Sequence, residues 1–353
     1  MTLKEIAREA GVSISTVSRV LNQPGSKAAG KEVREKIWDE VRAGGYTPNA
    51  AARELKQTAQ KEHIMRPIHC LIACAPGEVK DDPFFAQLIS SVEQEAFLNH
   101  FVLKYTYSML DMENPEVLRR MQENSLDSLI IIGRFQQELL DTLKRKFKRI
   151  VYVGVNNLEA DCDQVICDGY GAARLAVRHL QGLGHRHIGY IGEKDAEARY
   201  RGYYDAMQDL RLPLCRPHVV DAPQSVQGGH QGAMRLLTAM PISGEAVSTP
   251  PSAIFCANDL TAVGVLQALR ERGVRVPGEI SVISIDNTEM AQNTVPMLTA
   301  IDIPKEDLGR FAVKLLADRM AGGHRLPVKL EVPYTLITRA STSQAEPGRT
   351  PGA

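Results

Sequence analysis

Three polar side chains in the second half of the chain have the chemistry to bind a ligand rich in hydroxyl groups. Asn258 follows the apolar run AIFCA, Asp286 follows SVISI, and Arg199 lies at the start of the segment EARYRGYYDAM. Hydroxyl groups need both donors and acceptors, which amide, carboxylate and guanidinium groups supply together. Each residue alone also has an ordinary interpretation: a helix cap, a turn or a salt bridge. The three therefore predict a sugar site only if the fold brings them into one crevice.

A second group of polar residues lies in the stretch GVSISTVSRVLN, from Gly11 to Asn22. A T-x-x-E capping box from Thr2 to Glu5 predicts a first helix, which Gly11 ends. Ser13 can cap a second helix, and the helical repeat places several of its side chains on one outer face. These side chains are Ile14, Ser15, Ser18, Arg19 and Asn22. The segment KEVREKIWDEVRA predicts a third amphipathic helix.

Two helices joined by a short glycine turn and braced by a third are typical of the helix-turn-helix, whose second helix enters the major groove of DNA. Small Ser and Thr side chains permit a close approach, and Arg19 can reach a guanine edge or a phosphate. The first 62 residues carry eleven basic and eight acidic side chains, a mild excess that agrees with DNA binding. A three-helix bundle with a merely solvated polar face is the alternative.

The composition indicates a multidomain protein of a reducing compartment. The 353 residues predict two or three domains, and the 42 basic and 42 acidic residues leave no net charge. The six cysteines show no disulfide framework, and the amino terminus is charged where a secretory signal needs an apolar core. No apolar run approaches the roughly 20 residues of a membrane span. We therefore predict a cytoplasmic protein that has no membrane partner.

From residue 68 onward, short apolar runs alternate with longer amphipathic segments. IHCLIACAP, FVLKYTY, SLIIIG and IVYVGV form one series of predicted strands, and HIGYIG, HVVDA, AIFCAND and SVISID form a second. Alternating strands and helices predict parallel sheets that are covered on both faces. Two series predict two doubly wound lobes, and such sheets bind ligands beyond the carboxyl ends of their strands.

No pattern in the sequence favours an enzyme, a metal site or a cofactor. Cys70 with Cys74, and Cys162 with Cys167, lack the spacing and the histidine partners of a zinc site. The run IGYIG lacks the third glycine of a dinucleotide fingerprint, and the sequence has no nucleophile elbow and no credible acid and base pair. We therefore predict no catalytic residues, no metal and no cofactor.

Two parts of the chain resemble the LacI/GalR family of transcriptional repressors. Residues 2–56 are similar to the family's headpiece, through the core V-S-x-x-T-V-S-R-V-L-N and the Tyr-x-Pro-Asn entry to a hinge helix. Residues 68 to about 339 resemble its effector domain, through A-N-D, GEISVISID and PMLTAI. The resemblance implies an all-α helix-turn-helix headpiece, followed by an α/β two-lobed domain like the periplasmic binding proteins, with doubly wound parallel sheets.

The resemblance also implies a division of the chain. Its parts are a helix-turn-helix headpiece, 1–46; a hinge helix and linker, 47–66; an effector-binding and dimerisation domain, 67–340; and a tail, 341–353. The two lobes combine separate segments, about 67–166 and 302–324 for lobe one, and about 167–299 and 325–340 for lobe two. The polar tail is predicted to be disordered. Because it lacks the leucine heptads of tetrameric members, we predict a homodimer.

For double-stranded operator DNA, the resemblance implies contacts from the second helix and from the hinge. The implied DNA-binding residues are Thr2, Ser13, Ile14, Ser15, Thr16, Ser18, Arg19, Asn22, Asn49, Ala52 and Leu55. In the family, the hinge helix folds on the operator, pairs with that of the dimer mate, and wedges a leucine into the minor groove. By resemblance Leu55 is that leucine. The alternative is that Leu55 packs against the effector domain.

For the effector, the resemblance adds three residues to the polar set. The implied effector-binding residues are Phe84, Phe85, Arg199, Gln224, Asn258 and Asp286. Gly154 stands where many sugar-responsive members carry Asp. The implied function is repression of a sugar operon, of galactoside type, with release from a palindromic operator by a small-molecule effector between the lobes. The alternatives are a nucleobase or other co-repressor and, in a different class, a sugar-binding receptor without DNA function.

Overall fold

The computed structural model of the chain describes residues 2–22, 29–44, 65–73, 82–108, 127–133, 137–238 and 250–345. Contacts between residues divide the chain into two compact units, Met1–Ile64 and Met65–Ala353. Each unit has its own buried apolar core. In the described part of the chain, no helix combines the length and the apolar character that crossing a membrane requires.

The first unit contains three helices around a small core. They are α1, Leu3–Ala10; α2, Ile14–Asn22; and α3, Lys31–Ala43. Each helix contributes one fully buried side chain to the core, namely Ile6, Val17 and Ile37. Val20 and Leu21 of α2 are buried in the same core, on the side opposite the predicted DNA-facing residues. The predicted three-helix arrangement is therefore confirmed.

The turn between α1 and α2 follows the sequence prediction. The Thr2 hydroxyl accepts a hydrogen bond from the Glu5 amide (3.4 Å), and the Glu5 carboxylate accepts one from the Thr2 amide (2.8 Å), which completes the capping box. Gly11 ends α1 with a φ of +68°, a conformation that glycine adopts without strain. Ser13 then accepts a hydrogen bond from the Thr16 amide (3.1 Å) at the start of α2.

The second unit is built from alternating strands and helices. Its described strands are β1, Arg66–Ala73; β2, Phe101–Ser108; β3, Ser128–Gly133; β4, Arg149–Gly154; β5, Asp163–Ile166; β6, Ile188–Gly192; β7, Val219–Asp221; β8, Ala253–Cys256; β9, Ser281–Asp286; β10, Thr299–Asp302; β11, Lys329–Glu331; and β12, Thr335–Ile337. Its described α-helices are α4, Pro83–Leu98; α5, Gln137–Lys144; α6, Gly169–Gly182; α7, Ala198–Asp209; α8, Val226–Thr238; α9, Asp259–Glu271; α10, Glu289–Asn293; and α11, Lys305–Ala321.

These strands form two six-stranded sheets, one in each lobe. The first has the order β11-β5-β4-β3-β1-β2, with every pair parallel. The second has the order β12-β10-β9-β8-β6-β7, in which β10 and β12 are antiparallel and the other pairs parallel. Alternate residues of β3 pack into apolar clusters on opposite faces of the first sheet. The predicted doubly wound, two-lobed architecture is confirmed.

The return of the chain to the first lobe differs from the predicted boundary. Segment 325–340 is predicted to lie in lobe two, but β11 pairs with β5 of the first sheet, with Leu330 opposite Val165. The physical reason lies in α11, which packs against α4 of the first lobe. Arg319 of α11 donates hydrogen bonds to the carbonyls of Arg325 and Leu326 (3.0 and 2.8 Å), which hold the loop before β11 near that sheet.

The segment after β12 also corrects a prediction. Residues 341–345 pack on the second lobe and are not part of a disordered tail. The Ser341 hydroxyl is buried, accepts a hydrogen bond from the Thr299 amide (2.8 Å) and donates one to the Val282 carbonyl (2.6 Å). The Ala345 amide donates to the carbonyl of Leu183 (2.8 Å). Hydrogen bonds thus order a segment whose composition offers little apolar surface. Residues 346–353 lie outside the described part.

Asp163, the first residue of β5, is buried and anchors the loop before β11. Its carboxylate accepts hydrogen bonds from Val328 N (2.9 Å), Arg319 Nη2 (2.6 Å) and His324 Nε2 (3.1 Å). Burial alone would raise the pKa of Asp163, but the hydrogen bonds from Arg319, Val328 and His324 lower it. The pKa of His324 is raised, because Asp318 and Asp163 both accept hydrogen bonds from its ring.

Replacing His324 with Gln is expected to destabilise the protein more at about pH 5.5 than at about pH 9. Because the folded-state pKa is raised, the stabilisation is fully present below the unfolded value of 6.5 and is lost as the pH rises through the folded-state pKa. Urea unfolding of the wild type and the variant at both pH values measures the difference. An equal loss at both would contradict the ion-pair role.

Candidate functional site

All six predicted effector-binding residues line one cleft at the carboxyl ends of the two sheets. Asp286 ends β9, Asn258 lies just beyond β8, and Arg199 is the second residue of α7. The described lining is Asp82, Phe84, Phe85, Gly133, Gly154, Val155, Arg199, Gln224, Asn258 and Asp286. The cleft encloses about 40 Å³. Because ligand pockets usually measure roughly 300–1,000 Å³, a sugar can enter only if the lobes or their side chains move.

Arg199 is almost completely buried, and its guanidinium group is held by three neighbours. Nε and Nη2 donate hydrogen bonds to the two carboxylate oxygens of Glu197 (2.8 and 2.9 Å). Nη2 also donates to Gln224 Oε1 (2.7 Å), and Nη1 donates to the carbonyl of Ala257 (2.9 Å). Burial alone would lower the pKa of Arg199, but the charge and hydrogen bonds of Glu197 raise it. The guanidinium group therefore stays charged in a fixed orientation.

Glu197 completes this network, although the sequence analysis did not select it. Its side chain is fully buried, and it caps α7 by accepting a hydrogen bond from the Arg199 amide (3.0 Å). It also accepts one from Gln224 Nε2 (3.0 Å). Its place at the helix start, two residues before Arg199, is the sequence signal that could have indicated it. Asp82, which caps α4, and Val155 also line the cleft, and the sequence analysis did not select them.

Asn258 both caps a helix and faces the cleft. Its Oδ1 accepts hydrogen bonds from Thr261 N (2.9 Å) and Thr261 Oγ1 (2.7 Å), so the capping interpretation is correct. No described residue accepts a hydrogen bond from its Nδ2, which leaves a donor for a ligand. Asp259 beside it is structural, because Ser284 (2.6 Å) and Thr288 (2.6 and 2.9 Å) donate to its two carboxylate oxygens.

Asp286 is held in the cleft by a constrained turn. Its φ is +115°, which is unfavourable for a residue with a side chain. The Lys305 ammonium group stabilises this turn by donating hydrogen bonds to the carbonyls of Asp286 and Ile303. Within the described part of the chain, no group donates a hydrogen bond to the Asp286 carboxylate. Burial raises the pKa of Asp286 well above its usual value; Arg199 opposes this rise, and nearby carboxylates add to it.

Phe84 and Phe85 form the apolar wall of the cleft. Their ring centroids lie 5.5 Å apart with an interplanar angle of 83°, an edge-to-face pair. Both belong to the first turn of α4, which begins with Pro83 and is capped by Asp82, whose carboxylate accepts a hydrogen bond from the Phe84 amide (2.9 Å). Such aromatic surface can cover the carbon skeleton of a ligand whose polar groups meet the opposite wall.

Gly154 has a steric reason to lack a side chain. A Cβ atom there would lie 2.1 Å from the hydroxyl of Tyr152, whose side chain is fully buried. Gly192 in the second lobe has a similar relation to Tyr190, at 2.8 Å. A tyrosine hydroxyl thus occupies the space beside each of these strand-end glycines. The Asp that the family resemblance leads one to expect at position 154 cannot fit here unless Tyr152 moves.

In the first unit, the predicted DNA-facing side chains of α2 lie outside its core. Ser15 and Arg19 are exposed, Ile14 is 47% exposed, and Thr16 and Ser18 are half-buried. The hydroxyls of Thr2 and Ser13 cap α1 and α2, so both residues also have a structural role. Asn49, Ala52 and Leu55 lie outside the described residues, as does the side chain of Asn22. Their DNA contacts stay predictions.

The described residues contain no group of three or more His, Cys, Asp and Glu side chains that could hold a metal ion. The cysteines singled out in the sequence are buried in apolar surroundings, except that Cys74 lies outside the described part. Burial raises the pKa of the Cys70 and Cys167 thiols to about 12 and that of Cys162 to about 11. These thiols stay protonated and are poor nucleophiles.

Two sequence profiles match separate parts of the chain. Residues 2–49 match bacterial regulatory proteins of the lacI family, and residues 177–342 match the periplasmic binding protein-like domain. A helix-turn-helix unit and a two-lobed unit with a polar cleft define the class: a DNA-binding transcriptional repressor with a ligand-binding domain. The alternative of a sugar receptor without DNA function is therefore wrong.

Relatives cover nearly the whole chain. The ribose operon repressor of Haemophilus influenzae is 31% identical over 349 residues, which are 96% of this chain and 98% of the relative. The transcriptional repressor PurR of Mannheimia succiniciproducens is 27% identical over 350 residues, or 97% and 99%. The chain belongs to the LacI family of bacterial regulatory proteins, as the motifs predicted. Its relatives are repressors and not enzymes.

Two solved structures have the same fold over 97% of this chain and 99% of their own length. A complex of the transcriptional regulator CelR with cellobiose has a TM-score of 0.69 at 24% identity. The lac repressor dimer bound to operator and the anti-inducer ONPF has a TM-score of 0.65 at 22% identity. At this identity the similarity shows a shared fold and does not identify the effector of this chain.

Proposed function

We propose that this repressor binds a pseudo-palindromic operator as a homodimer in the cytoplasm, and that a sugar bound between its lobes releases it. The observation that supports this most directly is the cleft that combines Arg199, Asn258 and Asp286 with an aromatic pair. A sugar hydroxyl both donates and accepts hydrogen bonds. The Asn258 amide offers a donor and the Asp286 carboxylate an acceptor, while Phe84 and Phe85 can cover the carbon skeleton.

One relative, the ribose operon repressor, supports a carbohydrate effector. Galactosides are the type that the sequence resemblance implies, and they are the first to test. A nucleobase or another co-repressor is the alternative. It would strengthen operator binding instead of weakening it, and an apolar slot would suit a nucleobase better than this polar set does.

On DNA, we assign the major-groove contacts to α2. Ser15, Thr16 and Ser18 allow a close approach, and Arg19 can pair with a guanine edge. Paired Leu55 side chains would open the minor groove at the operator centre. Contacts to phosphates should make the affinity fall with salt, with a slope near −0.9 for each phosphate neutralised.

Dimerisation has a candidate surface in the first lobe. Phe97 and Leu98, at the end of α4, are 70% and 71% exposed, and Val102 of β2 is 44% exposed. Large apolar side chains close together on a surface favour burial against another chain. A second copy of this chain is the proposed partner, and sedimentation of the variant Phe97→Asp/Leu98→Asp tests it. We expect the wild type to sediment as a dimer and the variant as a monomer.

Effector binding and operator binding are coupled through the lobes and the hinge. An effector between the lobes would change their relative angle, separate the two hinge segments of the dimer, and melt the helix predicted at 50–56. A coupling free energy of roughly 1–3 kcal/mol would weaken operator binding from several-fold to about a hundredfold. The same coupling would reduce effector affinity on the operator-bound protein by an equal factor.

Fluorescence anisotropy of the full chain on a labelled palindromic operator with a central CG step tests this proposal. We expect tight, salt-sensitive binding that a galactoside weakens. Operator binding that no sugar changes would support the repressor function and exclude a sugar effector. Binding that a nucleobase strengthens would favour the co-repressor. If the first operator does not bind, selection from genomic DNA supplies the true site, and failure to select any site would contradict the DNA-binding function.

Replacing Leu55 with Ala is expected to reduce operator affinity by roughly tenfold or more, because the variant cannot wedge the central base step apart. DNA bending, measured by fluorescence energy transfer between the operator ends, should fall in parallel. Effector affinity in the absence of DNA should stay unchanged. Leu326→Ala, at a 79% exposed leucine of the first lobe, is the matched control. Unchanged operator affinity would show that Leu55 does not enter the minor groove.

A further inference from the structure

We infer that the cleft selects its effector by charge: it accepts neutral or positively charged polyhydroxyl compounds and rejects anionic ones, such as sugar acids and sugar phosphates. The structure assigns this selectivity chiefly to Glu197. The inference rests on the proposed function, in which the effector binds between the lobes, and it narrows the chemical class of that effector.

Arg199 is the only basic side chain among the described residues that line the cleft. An exposed guanidinium group ordinarily binds carboxylates and phosphates through two parallel hydrogen bonds. Here Nε and Nη2 already make such a pair with the two oxygens of Glu197. Because Glu197 is fully buried, solvent does little to screen its charge. Glu197 therefore both occupies the anion-binding edge of Arg199 and cancels its charge.

Lys305, the other cation that acts on Asp286, is directed at the protein backbone. Its Nζ donates to the carbonyls of Asp286 and Ile303 and lies 3.8 Å from the carboxylate of Asp302. The side chain is 8% exposed. Its charge thus stabilises the turn after β9 and is balanced by the carboxylate of Asp302.

Among the described residues that line the cleft, the remaining charged side chains are acidic. Asp82 and Asp286 both line it, and the buried carboxylate of Glu197 is already paired with Arg199. Asp286 is 5% exposed, and no described residue donates a hydrogen bond to its carboxylate. The pKa of Asp286 is raised mainly by burial; Arg199 opposes the rise, and the nearby carboxylates of Asp259 and Asp82 add to it.

A ligand must therefore supply the hydrogen-bond donor that the Asp286 carboxylate lacks. A hydroxyl or an ammonium group can donate a hydrogen bond to the Asp286 carboxylate, whereas an ionised phosphate or carboxylate has no proton to donate and is repelled by its charge. Aromatic rings carry partial negative charge on their faces and attract cations, and the Lys305 ammonium group already lies over the Phe84 ring, 6.0 Å from its centroid. Neutral sugars and amino sugars fit these requirements, and their acidic derivatives do not.

Calorimetric titration of the full chain with matched sets of ligands tests the inference. Each set contains a neutral sugar, its amino derivative, and its acid or phosphate, for example galactose, galactosamine, galacturonate and galactose 6-phosphate, with parallel sets built on ribose, glucose and cellobiose. Asn258→Ala identifies binding in the cleft. We expect hits only among neutral and amino members. An acidic hit that Asn258→Ala abolishes overturns the charge inference but keeps the effector site. A complete absence of hits overturns both the inference and the sugar proposal.

The variant Glu197→Gln tests the assigned residue. It keeps a side chain that can cap α7 but frees the charge of Arg199, so the acidic analogue of the best ligand should bind at least about tenfold more tightly than to the wild type. Asp82→Asn, in which Asn still caps α4, should shift selectivity in the same direction. Glu159→Gln, at an exposed glutamate outside the cleft lining, is the control. Circular dichroism melts establish that each variant is folded. Unchanged anion affinity in both cleft variants would overturn the assignment.

Discussion

Replacing Arg199 with Ala is expected to lower the free energy of unfolding of the two-lobed unit by about 3–5 kcal/mol. The change leaves Glu197 fully buried without its counter-ion, and it removes donors from Gln224 and from the carbonyl of Ala257. An uncompensated buried carboxylate costs far more than the lost contact itself. Urea unfolding, followed by circular dichroism, measures this loss. Operator binding by the same variant should no longer respond to the effector, because the hydrogen-bonded network around Arg199 that forms one wall of the cleft is lost.

Two controls separate this mechanism from a general effect of removing arginine. Arg174→Ala deletes a partly exposed ion pair with Asp209 and a contact with the Tyr170 ring, and should cost about 1 kcal/mol. The double variant Glu197→Gln/Arg199→Met removes both buried charges and should recover much of the stability lost in Arg199→Ala. If the double variant is as unstable as the single one, packing rather than charge determines the cost.

Replacing Gly264 with Ala is expected to destabilise the second lobe by about 3 kcal/mol or more. A Cβ atom at this position would lie 2.0 Å from the Val226 carbonyl oxygen, and one at Gly229 would lie 2.1 Å from the Thr261 carbonyl oxygen. Helices α8 and α9 thus pack backbone against backbone, and a methyl group can enter only if they separate. The helical preference of Ala over Gly, about 1 kcal/mol, does not offset this strain.

The same substitution should weaken effector binding, because the two helices position cleft residues. Gln224 lies just before α8, and Asn258 caps α9. Separating the helices would move these side chains apart. Gly278→Ala is the matched control, since its nearest neighbour would be the Arg275 Cβ atom at 3.7 Å. We expect this control to retain wild-type stability and affinity. A Gly264→Ala protein of normal stability would contradict the close packing of α8 and α9.

Much of the fold could be predicted because apolar periodicity is a local property. The capping box from Thr2 to Glu5 and the glycine turn at Gly11 indicated the first helices. Runs such as SLIIIG indicated buried parallel strands, since both faces of such strands pack against helices. The strand-end residues Asn258 and Asp286 indicated a common cleft, because parallel strands place their carboxyl ends at one edge.

Other features depend on contacts between residues that are distant in the chain. Strand β11 pairs with β5, which lies more than 160 residues earlier, and only the packing of α11 on the first lobe explains that choice. Residues 341–345 look like a disordered tail, but backbone groups of the second lobe order them through hydrogen bonds. Composition cannot predict such ordering, because it does not contain the positions of the partner groups.

The sequence by itself determined the class of this protein: a helix-turn-helix unit and two doubly wound lobes, with polar residues at the ends of their strands. These follow from local patterns and from motifs in which spacing carries the information. Only the tertiary structure decided the electrostatics of the cleft. Glu197 and Gln224 reach Arg199 from separate segments, so the balance of buried charge depends on distances that the order of residues does not specify.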